Sequence, residues 1–158
     1  MEALSIERSA SSDAFDVAVM VGELLNEIMD AIGMQAFRFD LDETAARLKN
    51  FIEQENYYVF AARAENGNMV GFITLYESYA LYAEGVFGTI AELFVRPQFR
   101  SRNTGRLLIE EARSFGQSRG WKRLEVTTPP LPQFDKALSF YEREGFSITG
   151  GRKLKFDL

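Results

Sequence analysis

The chain has 158 residues, a net charge of −5, and 46% hydrophobic, 26% charged and 13% aromatic residues, the composition of an ordinary globular protein. It contains neither cysteine nor histidine, which excludes disulfides, thiolate nucleophiles, Cys/His zinc sites and every catalytic arrangement built on an imidazole. Any chemistry therefore falls to carboxylates, phenols, amines, hydroxyls and the backbone.

The length fits one domain over residues 1–158, large enough to bury a core without a staple. No run approaches the roughly 18 apolar residues of a membrane span, and the stretch Met1 to Ala10 does not read as a secretory signal. A cytoplasmic protein with no metal is expected, and the lack of cysteine agrees with a reducing compartment. Residues 1–88 hold 5 Lys/Arg against 15 Asp/Glu, whereas residues 89–158 hold 13 against 8. This polarity suggests a polyanionic ligand for the second half and a cationic one near the first. Uneven scatter over solvated faces would give the same balance. Nucleic acid is not expected, because the acidic half would repel phosphates.

Leu4 to Arg8 alternates as a short strand would. After Ser11-Ser12-Asp13, apolar residues at Val17, Val21, Leu24, Leu25, Ile28 and Ile32 form one helical stripe, with Gly33 as terminator. A second helix starts at Asp40, with Glu43 in a capping-box position and Ala45, Leu48, Phe51 and Ile52 facing inward. Tyr57 to Ala62 and Met69 to Tyr76 read as strands joined through Asn66-Gly67, a strong hairpin signal. A connection from Ser78 to Gly85 leads to a strand at Gly88 to Val95, which Pro97 ends. A helix follows from Gly105 to Gly116, then a strand at Arg123 to Thr128 and a rigid break at Pro129-Pro130-Leu131-Pro132. Phe134 to Glu144 is helical, and Phe146 to Thr149 with Arg152 to Phe156 read as an edge hairpin around Gly150-Gly151. The order describes one α/β (α+β) domain, with a mixed, mostly antiparallel central sheet of six to seven strands flanked by four helices.

The passage Val95-Arg96-Pro97-Gln98-Phe99-Arg100-Ser101-Arg102-Asn103-Thr104-Gly105-Arg106 is a strand, a basic turn and a helix start. Helix N-termini leave backbone N–H groups unpaired and carry partial positive charge, so they attract anions. Arg100, Arg102 and Arg106 surround this turn, and Gly105 lets backbone approach a ligand closely. A pyrophosphate suits it; an ordinary solvated loop is the plain alternative.

This turn resembles the acyl-CoA-binding motif (Q/R)-x-x-G-x-(G/A) of the GNAT superfamily of N-acetyltransferases, through Arg100, Asn103 and Gly105. Asn103 stands where the family has its first glycine, and asparagine tolerates left-handed backbone better than most residues. Gly88 to Val95 resembles the family's central strand, Val70-Gly71-Phe72 another of its strands, and Phe140-Tyr141-Glu142-Arg143-Glu144-Gly145-Phe146 its F-Y-x-x-x-G-F signature. Phe134 departs from an asparagine that contacts the cofactor in many relatives.

The resemblance implies transfer of an acetyl group from acetyl-CoA to a primary amine by direct attack, with no protein nucleophile. Backbone groups of Leu93, Phe94 and Val95 would hold the pantetheine arm, and Arg100, Ser101, Arg102, Asn103, Thr104, Gly105 and Arg106 the pyrophosphate. A strand N–H around Phe94 would bond the reacting carbonyl. Glu92, sharing a face with Ile90 and Phe94, is the candidate base; a solvated or ion-paired Glu is its plain alternative. Tyr141 is the candidate acid, although periodicity alone reads it as a packing aromatic beside Phe140 and Leu138. Tyr76, Tyr79, Tyr82 and Glu84 are candidates for the acceptor pocket. The acceptor is a small molecule or peptide amine, and an edge near Arg152 to Phe156 leaves room for a homodimer. A noncatalytic acyl-CoA sensor or partner-binding module on the same fold is the second reading, favoured by Asn103 and Phe134.

Overall fold

The structure, a computed structural model, describes residues 3–158; Met1 and Glu2, the start of the mixed N-terminal stretch, lie outside it. The chain divides into two compact units, Met1–Thr127 and Thr128–Leu158.

The first unit runs β1 (Ser5–Arg8), α1 (Ala14–Ile32), α2 (Leu41–Glu53), β2 (Tyr58–Arg63), β3 (Met69–Ala80), β4 (Gly85–Val95), α3 (Thr104–Ser118) and β5 (Leu124–Val126). The five strands lie in chain order, antiparallel except for the parallel pair β4–β5. The sheet is therefore mixed, as expected, but has five strands among the described residues rather than six to seven.

Local signals set the helix ends. Gly33 adopts φ 66° and its N–H closes α1 on Met29 O, a conformation that costs a residue with a Cβ. The Asp40 side chain accepts from Glu43 N at 2.9 Å and caps α2. Of the expected inner face of α2, only Leu48 is fully buried. β3 is four residues longer than its reading, so β3 and β4 form a long hairpin whose tip is a 3₁₀ turn at Leu81–Ala83. The expected loop from Ser78 is strand as far as Ala80.

The core lies on both sides of the sheet. On one side Tyr58 and Phe60 of β2 meet Phe115 of α3 with ring centroids 4.8 and 5.4 Å apart. Trp121 packs there too, on Gly88 of β4. A Cβ at Gly88 would lie 2.2 Å from its ring, so the indole reaches the sheet because that side chain is missing. The other side faces α1, which pairs Glu23 with Arg96 and Glu27 with Arg100.

The second unit contains α4 (Asp135–Arg143) and a C-terminal stretch without regular structure. The expected edge hairpin at Phe146–Thr149 and Arg152–Phe156 does not form. Ile148, Leu154 and Phe156 are 74, 89 and 87% exposed, and a lone two-stranded hairpin that buries no apolar face is marginal in water. The edge strand that left room for a homodimer is accordingly absent. Among the described residues, no helix is long and apolar enough to cross a membrane.

Candidate active site

A β-bulge decides where Glu92 points. Thr74 pairs with Glu92 and Leu75 with Ile90, so Ala91 is an extra residue in β4. The insertion shifts the alternation by one. Ile90, opposite Leu75, belongs to the α3 side, while Glu92 and Phe94, opposite Thr74 and Phe72, belong to the α1 side. The expectation that Ile90, Glu92 and Phe94 share a face is thus corrected: only Glu92 and Phe94 do.

Thr74, 1% exposed, holds Glu92. Its hydroxyl donates to the Glu92 carboxylate, and its oxygen accepts the Glu92 N–H at 2.9 Å. Burial pushes the Glu92 carboxyl above the usual carboxylate range, and the Thr74 hydrogen bond opposes that rise. On the same side, just before β2, the ring of Tyr57 stacks on Tyr76 with centroids 6.0 Å apart and planes 8° apart. Phe51 of α2 leans on Tyr57 at 5.1 Å. Burial foremost, and then the Glu92 charge, raises the Tyr57 phenol well above its ordinary value.

Sequence reasoning missed Thr74, Tyr57 and Phe51. The available signal was a lone threonine inside the apolar strand Met69 to Leu75, since a buried hydroxyl needs a partner.

Of the four acceptor candidates, Tyr76 alone shares the face of Glu92. Tyr79 points to the α3 side, where its hydroxyl donates to Glu77 at 3.0 Å; that carboxylate also accepts from Trp121 Nε1 at 3.0 Å and Arg119 Nη2 at 2.9 Å. Tyr82 sits at the hairpin tip, with the Arg123 guanidinium 5.3 Å from its ring centre. Glu84, with φ 60°, closes the tip turn.

β4 offers an open edge beyond the bulge. Its pairing with β5 covers Gly88 to Ile90, and among the described residues no strand continues alongside Leu93 to Val95. Arg96 N donates to Val70 O at 2.8 Å, so alternation turns the backbone of Phe94 toward β3 and that of Leu93 and Val95 toward the open edge. The N–H groups at the open edge are thus those of Leu93 and Val95, not that of Phe94. Arg100 Nε takes Val95 O at 2.7 Å, leaving the Val95 N–H and both backbone groups of Leu93 facing that edge.

The basic turn follows. Asn103 is left-handed, with φ 65°, and so is Ser101, with φ 62°. Asn103 therefore adopts a left-handed backbone form that glycine, the residue of the motif at this position, takes without steric cost. Its side chain does not cap α3, so the first amides of that helix, from Thr104, Gly105 and Arg106, have no intrahelical partner. Thr104 is buried and donates to Phe99 O at 3.3 Å, which fixes the turn. The arginines are less free than their sequence implied. Arg100 Nη2 pairs with Glu27 at 2.7 Å, Arg106 with Glu110 at 3.2 Å, and Arg102 lies over the Phe99 ring at 5.6 Å.

In the second unit, Tyr141 is a buried residue of α4 with Phe140 and Phe146 edge-on, each at 5.4 Å. Burial raises its phenol above the ordinary range, so it keeps its proton at neutral pH.

The model of the acetyltransferase (GNAT) domain matches residues 54–148. The chain is 31% identical to an aminoalkylphosphonate N-acetyltransferase of Salmonella typhimurium, over 98% of this chain and 92% of that one. It is 28% identical to an uncharacterized N-acetyltransferase of Bacillus subtilis, over 94% of this chain and 93% of that one. Among solved structures it is similar to an aminoglycoside acetyltransferase from an uncultured soil metagenomic sample, in complex with trehalose. That match has a TM-score of 0.73 and 26% identity, covering 98% of this chain and 96% of the other.

Proposed function

The chain belongs to the GNAT acetyltransferase family, and from that premise we propose that it transfers an acetyl group from acetyl-CoA to a primary amine by direct attack. The observation that carries the reading is the sequence of features along β4 and its exit. A half-buried carboxylate at Glu92 is followed by an unpaired strand edge at Leu93 and Val95, and then by a turn with two left-handed residues before α3.

These residues fit the cosubstrate. The amides of Thr104, Gly105 and Arg106, which lack an intrahelical partner, suit a diphosphate, with Ser101, Arg102 and Asn103 around it. Leu93 and Val95 offer the backbone pairing that an amide-containing pantetheine arm would extend as an added strand. Arg100 supports the turn through Val95 O and Glu27.

Glu92 takes the proton of the amine, directly or through water, as the nitrogen bonds to the thioester carbon. The C–S bond then breaks and its electron pair leaves with sulfur. Tyr141 returns a proton to that thiolate. A carboxyl with a raised pKa is a better match to an amine than an exposed one, and a phenol neutral at working pH is a competent donor. Charge on the carbonyl oxygen as the tetrahedral centre forms suits a β4 N–H at the open edge.

The test is thiol release from acetyl-CoA over a panel of amines, with calorimetry of acetyl-CoA beside it. Release that depends on the amine supports transfer. Binding without release from any amine favours the noncatalytic acyl-CoA module, to which the Phe134 departure points.

A further inference from the structure

The α1 side of the sheet changes chemistry along β3. Val70 and Phe72 are buried and apolar, whereas the next residues on that side are Thr74, Tyr76 and Ser78. β4 answers with Glu92 opposite Thr74, and with Thr89, whose hydroxyl pairs with that of Ser78 at 2.7 Å. We propose that this hydroxyl-rich face, with the stacked rings of Tyr57 and Tyr76 beside Glu92, recognises the acceptor as a cation: an alkylammonium without an anionic group near its nitrogen. The proposal rests on the acyl-transfer reading only in calling that cation the acceptor.

Three observations carry it. First, Phe51 backs Tyr57 from α2 while Tyr76 is 36% exposed, so the pair is braced on one side and accessible on the other. Second, the protein sets arginines over several of its aromatic rings. Arg8 and Arg119 lie over Tyr58 and Phe115, Arg100 over Phe94, and Arg123 over Tyr82 and Phe87. Among the described residues none lies over Tyr57 or Tyr76. An aromatic face attracts a cation within about 6 Å of its centre, and this one is left for a cation from outside.

Third, the arginines on this side are already held by carboxylates: Arg123, over Phe87 opposite Ser78, pairs with Glu125 at 2.9 Å. Arg96 donates to both carboxylate oxygens of Glu23 at 2.9 and 3.0 Å, and Arg100 is held by Glu27. Glu92 is bonded by the Thr74 hydroxyl and, among the described residues, has no basic partner. A phosphonate or carboxylate placed here would meet a carboxylate and arginines that are already paired; an ammonium would meet a carboxylate and a ring face.

Choline and 3,3-dimethylbutan-1-ol separate charge from shape, because they are nearly isosteric and neither has an N–H to acetylate. Each is titrated into the full chain with NMR detection of the tyrosine rings. We expect choline to bind at least fivefold tighter and to move the Tyr57 and Tyr76 signals. Tyr76→Leu should reduce that preference below twofold, whereas Tyr76→Phe, which keeps the ring, and Tyr79→Leu, on the opposite face, should retain it. Equal binding of the two probes, a preference that survives Tyr76→Leu, or shifts confined to Tyr79 and Tyr82 would overturn the assignment. A choline preference in a protein that releases no CoA with any amine removes the acyl-transfer reading and leaves the cation site. CoA release with equal probe binding removes the cation site alone.

Discussion

Thr74 and Glu92 bond each other twice across β3 and β4. The threonine hydroxyl donates to the carboxylate, and the glutamate N–H donates back to the same oxygen at 2.9 Å. The first bond favours the ionised carboxyl against the burial that disfavours it. Thr74→Val therefore raises the Glu92 pKa further and moves the acid limb of the kcat/KM profile to higher pH. Loss of one hydrogen bond to a charged group costs about tenfold in kcat/KM near neutrality. Thr74→Ser restores the limb, and carboxyl-carbon NMR of Glu92 reads the same shift without turnover.

Glu92→Gln removes the base and lowers kcat by about 10²- to 10⁴-fold. It also changes stability in a pH-dependent way. Because the folded carboxyl titrates above its unfolded value of about 4.3, the native state keeps a proton that the unfolded chain has lost. The stabilisation from that proton is complete below the unfolded value and is lost as pH rises through the raised folded value. Melting curves from pH 4 to 9 should show the variant gaining on the wild type as pH rises.

Asn103 occupies a left-handed position at the α3 start. Asn103→Gly keeps that backbone without strain and should hold acetyl-CoA within about twofold of the wild type. Asn103→Val puts a β-branched side chain where the conformation costs roughly 1–2 kcal/mol, which predicts about tenfold weaker binding by calorimetry.

Gly88→Ala tests the packing of Trp121 on the sheet. The new Cβ would lie 2.2 and 2.4 Å from ring atoms of Trp121 and 2.8 Å from Leu124. Overpacking of this kind costs about 1–3 kcal/mol, measurable as a lower urea midpoint with an unchanged slope.

Tyr141→Phe deletes the hydroxyl and keeps the ring between Phe140 and Phe146. The account expects kcat to fall by about 10²-fold with acetyl-CoA affinity changed by less than about threefold. Full kcat in this variant would remove Tyr141 as the acid.

What the sequence disclosed was local. The α1 stripe from Val17 to Ile32, the Gly33 stop, the Asp40 cap and the Asn66-Gly67 hairpin each depend on residues within a few positions of one another. The basic turn before α3 was legible for the same reason, down to the left-handed Asn103. The bulge at Ala91 was not, because an extra residue in one strand leaves no trace in Gly-Thr-Ile-Ala-Glu-Leu-Phe-Val; only the register with β3 reveals it. Nor was the engagement of Arg100, whose partner Glu27 lies 73 residues away. The tail misled in the opposite direction. Leu154 and Phe156 alternate with charged residues like a strand, yet alternation gives a strand only where a neighbouring edge accepts it, and these side chains remain exposed.

The most direct measurement is CoA release from acetyl-CoA by the wild type and by Glu92→Gln, over an amine panel that pairs diamines with aminoalkylphosphonates. The account predicts amine-dependent release matched by acetylated product, faster for the diamines, and reduced at least 10²-fold in the variant. Release that persists unchanged in Glu92→Gln, or none from any amine in the wild type, would contradict it.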